Sequence, residues 1–251
     1  MSGDSVVRIA MWSGPRNIST AMMRSFGARA DCAVTDEPLY AAYLAATGLI
    51  HPMREEVIAS QPANWQKVAD ALVGPPPDGK PVWYQKHMTH HMLPQFGREW
   101  SNHFINAFLI RAPAAVLASY SHKRNDFTLE QIGLPAQAEL FDRAADRLGR
   151  PPPVIESQDV LADPRGMLTS LCEACSIPFD GAMLSWAPGR RASDGVWAPA
   201  WYDSVERSTG FATPRRELGA ADLPDALKPV AEAAQPFYER LARYKLSARK
   251  E

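Results

Sequence analysis

The sequence predicts a three-layer α/β fold: a parallel sheet of about five strands flanked by helices and completed by a C-terminal loop and helix. Three observations predict it. Short apolar runs alternate with stretches of helical periodicity. Turn-rich punctuation at residues 74–81 and 149–153 falls just before strands. Ionisable or hydroxyl residues follow four successive strands, which is where open parallel sheets hold their ligands.

The strands read as residues 6–12, 32–35, 82–85, 105–110 and 154–157. The first helix reads as residues 19–29, with Ala21, Met22, Ser25 and Phe26 clustered on one face. Residues 65–72, 113–123, 136–148 and 165–175 follow, and Pro113 suits the first turn of its helix. This alternation argues for parallel strands covered on both faces. The tail differs. Residues 186–211 are rich in Trp, Gly, Pro and Arg without a period, so a long ordered loop is expected, well placed to lie over the strand ends. Residues 223–244 read as a closing helix that Pro236 can divide in two.

At 251 residues the chain suffices for one large domain, and residues 1–251 are read as a single α/β unit. The 27 basic and 28 acidic side chains leave a net charge of −1, so no nucleic-acid surface is expected. The longest uncharged stretch, residues 38–53, is too short for a membrane span. Residues 1–12 lack the basic head, apolar middle and cleavage site of a signal peptide. Three cysteines fit a reducing compartment, and a cytoplasmic location is expected. Cys172 and Cys175 form a CxxC, but without a second pair they read as two small apolar residues on one helix face.

The chemistry collects after the strands. The first is followed by Ser13-Gly14-Pro15-Arg16-Asn17-Ile18-Ser19-Thr20, the second by Asp36-Glu37-Pro38, the third by Lys86-His87-Met88-Thr89-His90-His91, and the fourth by Arg111. The first segment is a strand–loop–helix anion site. Unpaired N–H groups at the helix start point outward. Gly14 permits a tight turn, Arg16 supplies a charge with bidentate geometry, and Ser19 and Thr20 add hydroxyls that can cap the helix. A helix cap beside a surface arginine is the plainer alternative, but here glycine, arginine and hydroxyls come together directly after a strand. The segment is not GxxxxGK[ST], because Ile18 rather than a lysine precedes Ser19. A metal-free phosphate site is therefore favoured over ATP-Mg²⁺.

Ser13 to Thr20 resembles the 5′-phosphosulfate-binding loop of the sulfotransferases that use 3′-phosphoadenosine 5′-phosphosulfate (PAPS), whose common form is Pro-Lys-Ser-Gly-Thr-Thr. Pro15, Ser19 and Thr20 match, Arg16 stands at the lysine, and Asn17 and Ile18 stand at the Ser and Gly. With Met11, Trp12 and Asp36-Glu37-Pro38 added, the stretch is similar to a divergent bacterial branch of these enzymes. Similar segments occur in plant proteins labelled aminotransferase-like, yet no motif for a pyridoxal lysine is present. The resemblance covers residues 6–119 well and the tail poorly. It implies a P-loop NTPase-like sheet, PAPS as donor, 3′-phosphoadenosine 5′-phosphate (PAP) as product, no metal, and a small-molecule hydroxyl or amine acceptor. It also implies that Arg111 and Ser119, eight positions apart, hold the 3′-phosphate, a group that an arginine fork and a hydroxyl can share. Arg190 and Arg191, with Gly195, lie where the family's Arg-Lys-Gly reaches the same phosphate, at a different spacing.

In the mechanism so implied, Arg16, the loop N–H groups and Ser19 or Thr20 stabilise charge on the departing 5′-phosphate. Lys86 steadies the sulfuryl group, and a base takes the acceptor's proton. Glu37 ranks slightly above His87 as that base, followed by His90 and His91. Helix-start capping by Asp36 and Glu37, and a polar turn for the histidines, are the plainer roles. A zinc site from the three histidines lacks a distant ligand pattern. Trp186, Trp197, Trp201, Tyr202 and Phe211 either wall an acceptor or adenine pocket or pin the loop. Members of the family are often dimeric, so a homodimer is open, although no interface motif is legible. Two rival functions remain: a divergent P-loop kinase that needs Mg²⁺-ATP, and a non-catalytic module that binds a bisphosphate nucleotide.

Overall fold

The computed structural model describes residues 6–121, 128–214, 216 and 218–250. Five strands, β1 (Val7–Ser13), β2 (Cys32–Asp36), β3 (Val82–Met88), β4 (Ile105–Ile110) and β5 (Val154–Glu156), form one all-parallel sheet in the order β2-β3-β1-β4-β5. From β1 the chain builds one side of the sheet with β2 and β3, then crosses to add β4 and β5 on the other. Every residue of β3 is buried, as a strand covered on both faces requires.

Two helical layers cover it. On one face, Ile9, Met11 and Tyr84 pack with Met22 and Phe26 of α1 (Ser19–Gly27) and with Met167, Leu168 and Leu171 of α8 (Pro164–Ala174). On the other, Ala10, Trp12 and Phe108 meet Val68 and Leu72 of α4 (Trp65–Val73), Leu140 and Phe141 of α6 (Leu134–Leu148), and Leu241 of α11 (Lys228–Ala242). The helix starts have local causes. The Asn64 side chain accepts from the Lys67 N–H at 2.9 Å, and Asp163 accepts from the Gly166 N–H at 2.9 Å ahead of Pro164. The helix expected over 113–123 is α5 (Pro113–Ser121); residues 122 and 123 lie outside the described residues. Cys172 and Cys175 are unbridged members of the apolar core. Burial pushes the Cys172 thiol up to about 11.

The structure departs from the sequence reading in four places. The third strand runs three residues past Gln85, because Met11, Trp12 and Ser13 of β1 pair with Lys86, His87 and Met88. Between β2 and α4 the chain forms α2 (Tyr40–Thr47) and α3 (Arg54–Ser60). In α2, Tyr40, Ala41, Ala42, Tyr43 and Leu44 are all buried, so the segment has no polar face and no helical period to reveal it. A short helix, α7 (Ser157–Ala162), follows β5 directly. Finally, α11 is one helix containing Pro236, preceded by 3₁₀ turns at Ala220–Asp222 and Asp225–Leu227. Pro236 and Glu232 lie on its exposed side, so the carbonyl that loses its N–H partner faces water and the helix continues.

Candidate active site

The carboxyl ends of β2, β3, β1 and β4 lie side by side, and the residues singled out after each strand collect there in two groups. The first group surrounds the loop between β1 and α1. Ser13 is fully buried at the strand end. Gly14 is required by close approach rather than by its dihedrals: a Cβ there would sit 2.6 Å from the Ile132 carbonyl oxygen. The left-handed turns fall instead on Arg16 (φ 62°) and Ile18 (φ 55°). Ile18 stands at the family's glycine and still takes the conformation that glycine adopts readily. Asn17 pins the loop, its Nδ2 donating to the Leu109 carbonyl at 3.2 Å. Gln137, fully buried on α6, donates to the Trp12 and Leu109 carbonyls at 3.0 and 2.9 Å, closing the crevice between β1 and β4.

Ser19 and Thr20 are the first residues of α1 and not its cap. The cap position is Ile18, and no side chain bonds to the helix start. The first backbone bond closing the helix is Met22 N–H to the Ile18 carbonyl at 3.0 Å, so the N–H groups before it have no partner within the helix. Arg16 Nε donates to Ser119 Oγ at 3.0 Å, and Arg111 Nη1 donates to the Arg16 carbonyl at 2.8 Å. Three residues chosen from separate parts of the sequence thus meet at one helix start. Arg190 and Arg191 bond elsewhere. Arg191 folds back on the carbonyls of Ala187, Pro188, Gly189 and Arg190, and Arg190 Nε lies 3.9 Å from Glu206.

The second group is buried. Asp36 and Lys86 lie directly opposite each other in the β2–β3 ladder and project from the same face. Lys86 Nζ bonds Asp36 Oδ1 at 2.9 Å, Glu37 Oε1 at 2.5 Å and the Tyr202 hydroxyl at 2.7 Å. An ammonium has three N–H donors, and all three are used. The resemblance gives Lys86 to the sulfuryl group; the structure instead commits it to this network, and its side chain is 1% exposed. The Tyr202 hydroxyl also donates to the Asp36 carboxylate (2.7 Å to Oδ2) and accepts from Trp197 Nε1 at 3.1 Å. Asp36 Oδ2 further accepts the Gly195 N–H at 3.0 Å. Glu37, at φ 40°, is the only one of the three charged residues to keep surface, with its side chain 11% exposed. Burial raises the Glu37 carboxyl above its ordinary range; Lys86 opposes this and Asp36 adds to it. Burial alone would lower the Lys86 ammonium, but Asp36 and Glu37 hold it well above its ordinary value.

The histidines take other places. Because β3 continues through Met88, His87 projects from the opposite face to Lys86. It stacks on Trp12 with ring centroids 4.5 Å apart, and its Nε2–H donates to Gln85 Oε1 at 3.1 Å. Burial lowers it to about 3, so it is a neutral core residue at physiological pH. His91 stacks between Tyr40 and Tyr43 at 4.6 and 4.8 Å, and the two rings hold it in the wall beside α2. His90, half-buried next to it, is likewise lowered to about 3, first by burial.

The segment 186–211 is ordered, with two single-turn helices, α9 (Ala198–Trp201) and α10 (Asp203–Glu206). Its ends are joined by Trp186 N–H to the Thr209 carbonyl at 3.0 Å. Trp197 and Tyr202 enter the core as loop pins, and Arg24 of α1 forms a buried bidentate pair with Asp194. Neither that pair nor the polar role of Tyr202 is visible in the sequence; the only signal is the aromatic and glycine-rich composition of the tail. Among the described residues, no group of His, Cys, Asp and Glu is arranged to hold a metal, and no helix is long and apolar enough to cross a membrane.

This geometry can be set beside known proteins. The family described as the sulfotransferase domain matches residues 7–244. The chain belongs to that sulfotransferase family. The solved sulfotransferase domain from the curacin biosynthetic pathway shares its fold at a TM-score of 0.51 and 14% identity, covering 91% of this chain and 97% of that one. Two curated Arabidopsis thaliana proteins, branched-chain-amino-acid aminotransferase-like proteins 1 and 2, are 38% and 35% identical over 83% of this chain. The chain spans 37% of the length of these relatives.

Proposed function

We propose that the chain transfers a sulfuryl group from PAPS to a hydroxyl or amine of a small-molecule acceptor. The observation that carries this reading is the convergence of Arg16, Arg111 and Ser119 on the uncapped start of α1. Two guanidinium groups, a hydroxyl and free helix N–H groups suit a ligand with two separate phosphates, which PAPS provides. Arg16 and the N–H groups of Ser19 and Thr20 meet the negative charge that grows on the departing 5′-phosphate oxygen. Glu37 takes the acceptor's proton as the acceptor atom bonds to sulfur and the sulfur–oxygen bond to the 5′-phosphate breaks, releasing PAP. The name of the Arabidopsis relatives invites a pyridoxal reading. Lys86 is the only buried lysine among the described residues, and as a protonated ammonium between two carboxylates it lacks the free amine a Schiff base requires.

The test is a thermal-shift and calorimetric titration with PAP, adenosine 5′-phosphate and ATP-Mg²⁺ on the wild type and Arg16→Ala. It is followed by transfer from labelled PAPS to a panel of alcohols, phenols and amines. PAP at about 100-fold over its Kd should stabilise the wild type by about 2.7 kcal/mol. Arg16→Ala should lose that gain along with transfer. Preference for ATP-Mg²⁺ would favour a kinase instead, and PAP binding without transfer to any acceptor would favour a nucleotide-binding module.

A further inference from the structure

We infer that Tyr202 is a positioning residue for the general base, fixing the Asp36–Lys86 pair so that Glu37 is presented to the acceptor as a carboxylate. The inference rests on the sulfotransferase reading and extends it to the late segment of the chain, 165 positions beyond Glu37.

The Tyr202 hydroxyl has one donor and two acceptor sites, and each is used: it donates to Asp36 and accepts from Lys86 Nζ and Trp197 Nε1. Asp36 is bonded in turn by the Gly195 N–H of the same segment. The segment is held against α1 by the Arg24–Asp194 pair, whose side chains are 2% and 0% exposed. Lys86 therefore cannot swing toward either carboxylate. Its third N–H is directed at Glu37, the one member of the network that reaches solvent. The groups facing the Glu37 side chain are Lys86 from β3, Asp36 from β2, Tyr202 from the late segment and Tyr40 from α2. Among these described groups, only Lys86 is a cation. If the phenol is lost, Asp36 is short of a donor and draws the ammonium to itself, and Glu37 becomes easier to protonate.

The experiment compares wild type, Tyr202→Phe, Trp197→Phe and Glu37→Gln by three readouts: PAP binding, the pH profile of kcat, and infrared titration of the Glu37 carboxyl, assigned by its loss in Glu37→Gln. Tyr202→Phe should bind PAP within about twofold of wild type and lower kcat by up to about tenfold on the acid side of the profile, less than the roughly 10²- to 10⁴-fold expected when the base itself is removed. The acid limb of its profile and the Glu37 titration should both move up by about one pH unit, the tenfold change that losing one bond to a charged group brings. Trp197→Phe keeps an aromatic ring in the core and removes one donor to the phenol. It should shift both in the same direction by less, and it carries the test if Tyr202→Phe does not fold. A Glu37 titration unchanged in the folded variants would overturn the inference, as would a fall in kcat with the acid limb unmoved. If the wild type transfers nothing, the sulfotransferase reading fails by itself, and the infrared titration still decides the role of Tyr202.

Discussion

At the carboxyl ends of β1 and β4, Arg16 is exposed and Arg111 half-buried, and their neighbours are a helix start and a hydroxyl. At the ends of β2 and β3, one strand spacing away, Lys86 is enclosed with every donor occupied. The first region is cationic and open to solvent at Arg16. The second is a dry, satisfied network in which charge is spent on fixing one carboxylate. Cations at neighbouring strand ends therefore differ in setting: an exposed arginine keeps contact with solvent, whereas a buried lysine fixes its neighbours and depends on them.

The sharpest way to break the comparison is Lys86→Ala, which strands Asp36 and Tyr202 without their cation. It should destabilise the fold by about 3–5 kcal/mol, read as a lowered midpoint in urea unfolding. Arg111→Ala should act mainly on the ligand. Preference for PAP over adenosine 5′-phosphate should fall roughly 10- to 100-fold, the range of a lost charged hydrogen bond of about 1.5–3 kcal/mol, with a smaller loss of stability, about 1 kcal/mol, as the Arg16 carbonyl loses its donor. The smallest effect belongs to His87→Phe, which keeps a ring on Trp12. Transfer should be unaltered, and stability at neutral pH should fall by about 1 kcal/mol as Gln85 loses its partner. The variant should also resist acid better. With its folded pKa lowered to about 3, His87 stays neutral where the unfolded chain takes up a proton, so the wild type loses stability as pH falls from about 6.5 toward 3. Unfolding curves across that range should show a shallower loss for His87→Phe. A drop in transfer on this substitution would restore the histidine as a candidate base.

The cradle was legible in the sequence because its parts are local. A strand, a turn with an arginine, and a helix opening on hydroxyls occupy residues 7–27, and Arg111 and Ser119 sit at a fixed spacing across the next strand end. The network was only half legible. Asp36, Glu37 and Lys86 are visible as residues after strands, but a third strand that ends at Gln85 puts both Lys86 and His87 in the following turn, each open to a role at the site. Strand pairing with β1 decides that end, and alternation then sends the two side chains to opposite faces. Arg191 illustrates the converse. Its position in the chain suggested a phosphate contact, yet local carbonyls from residues 187–190 were nearer partners.

By itself, the sequence determined the α/β alternation, the strand-end placement of the polar residues and the strand–loop–helix order of residues 7–27, since each follows from short-range pattern and backbone geometry. Only the tertiary structure decided which face each β3 residue serves, that α2 is a helix at all, and that Tyr202 closes on Asp36 from 166 positions away. Those outcomes depend on burial and on pairing between distant segments, and neither is written in any local stretch of the chain.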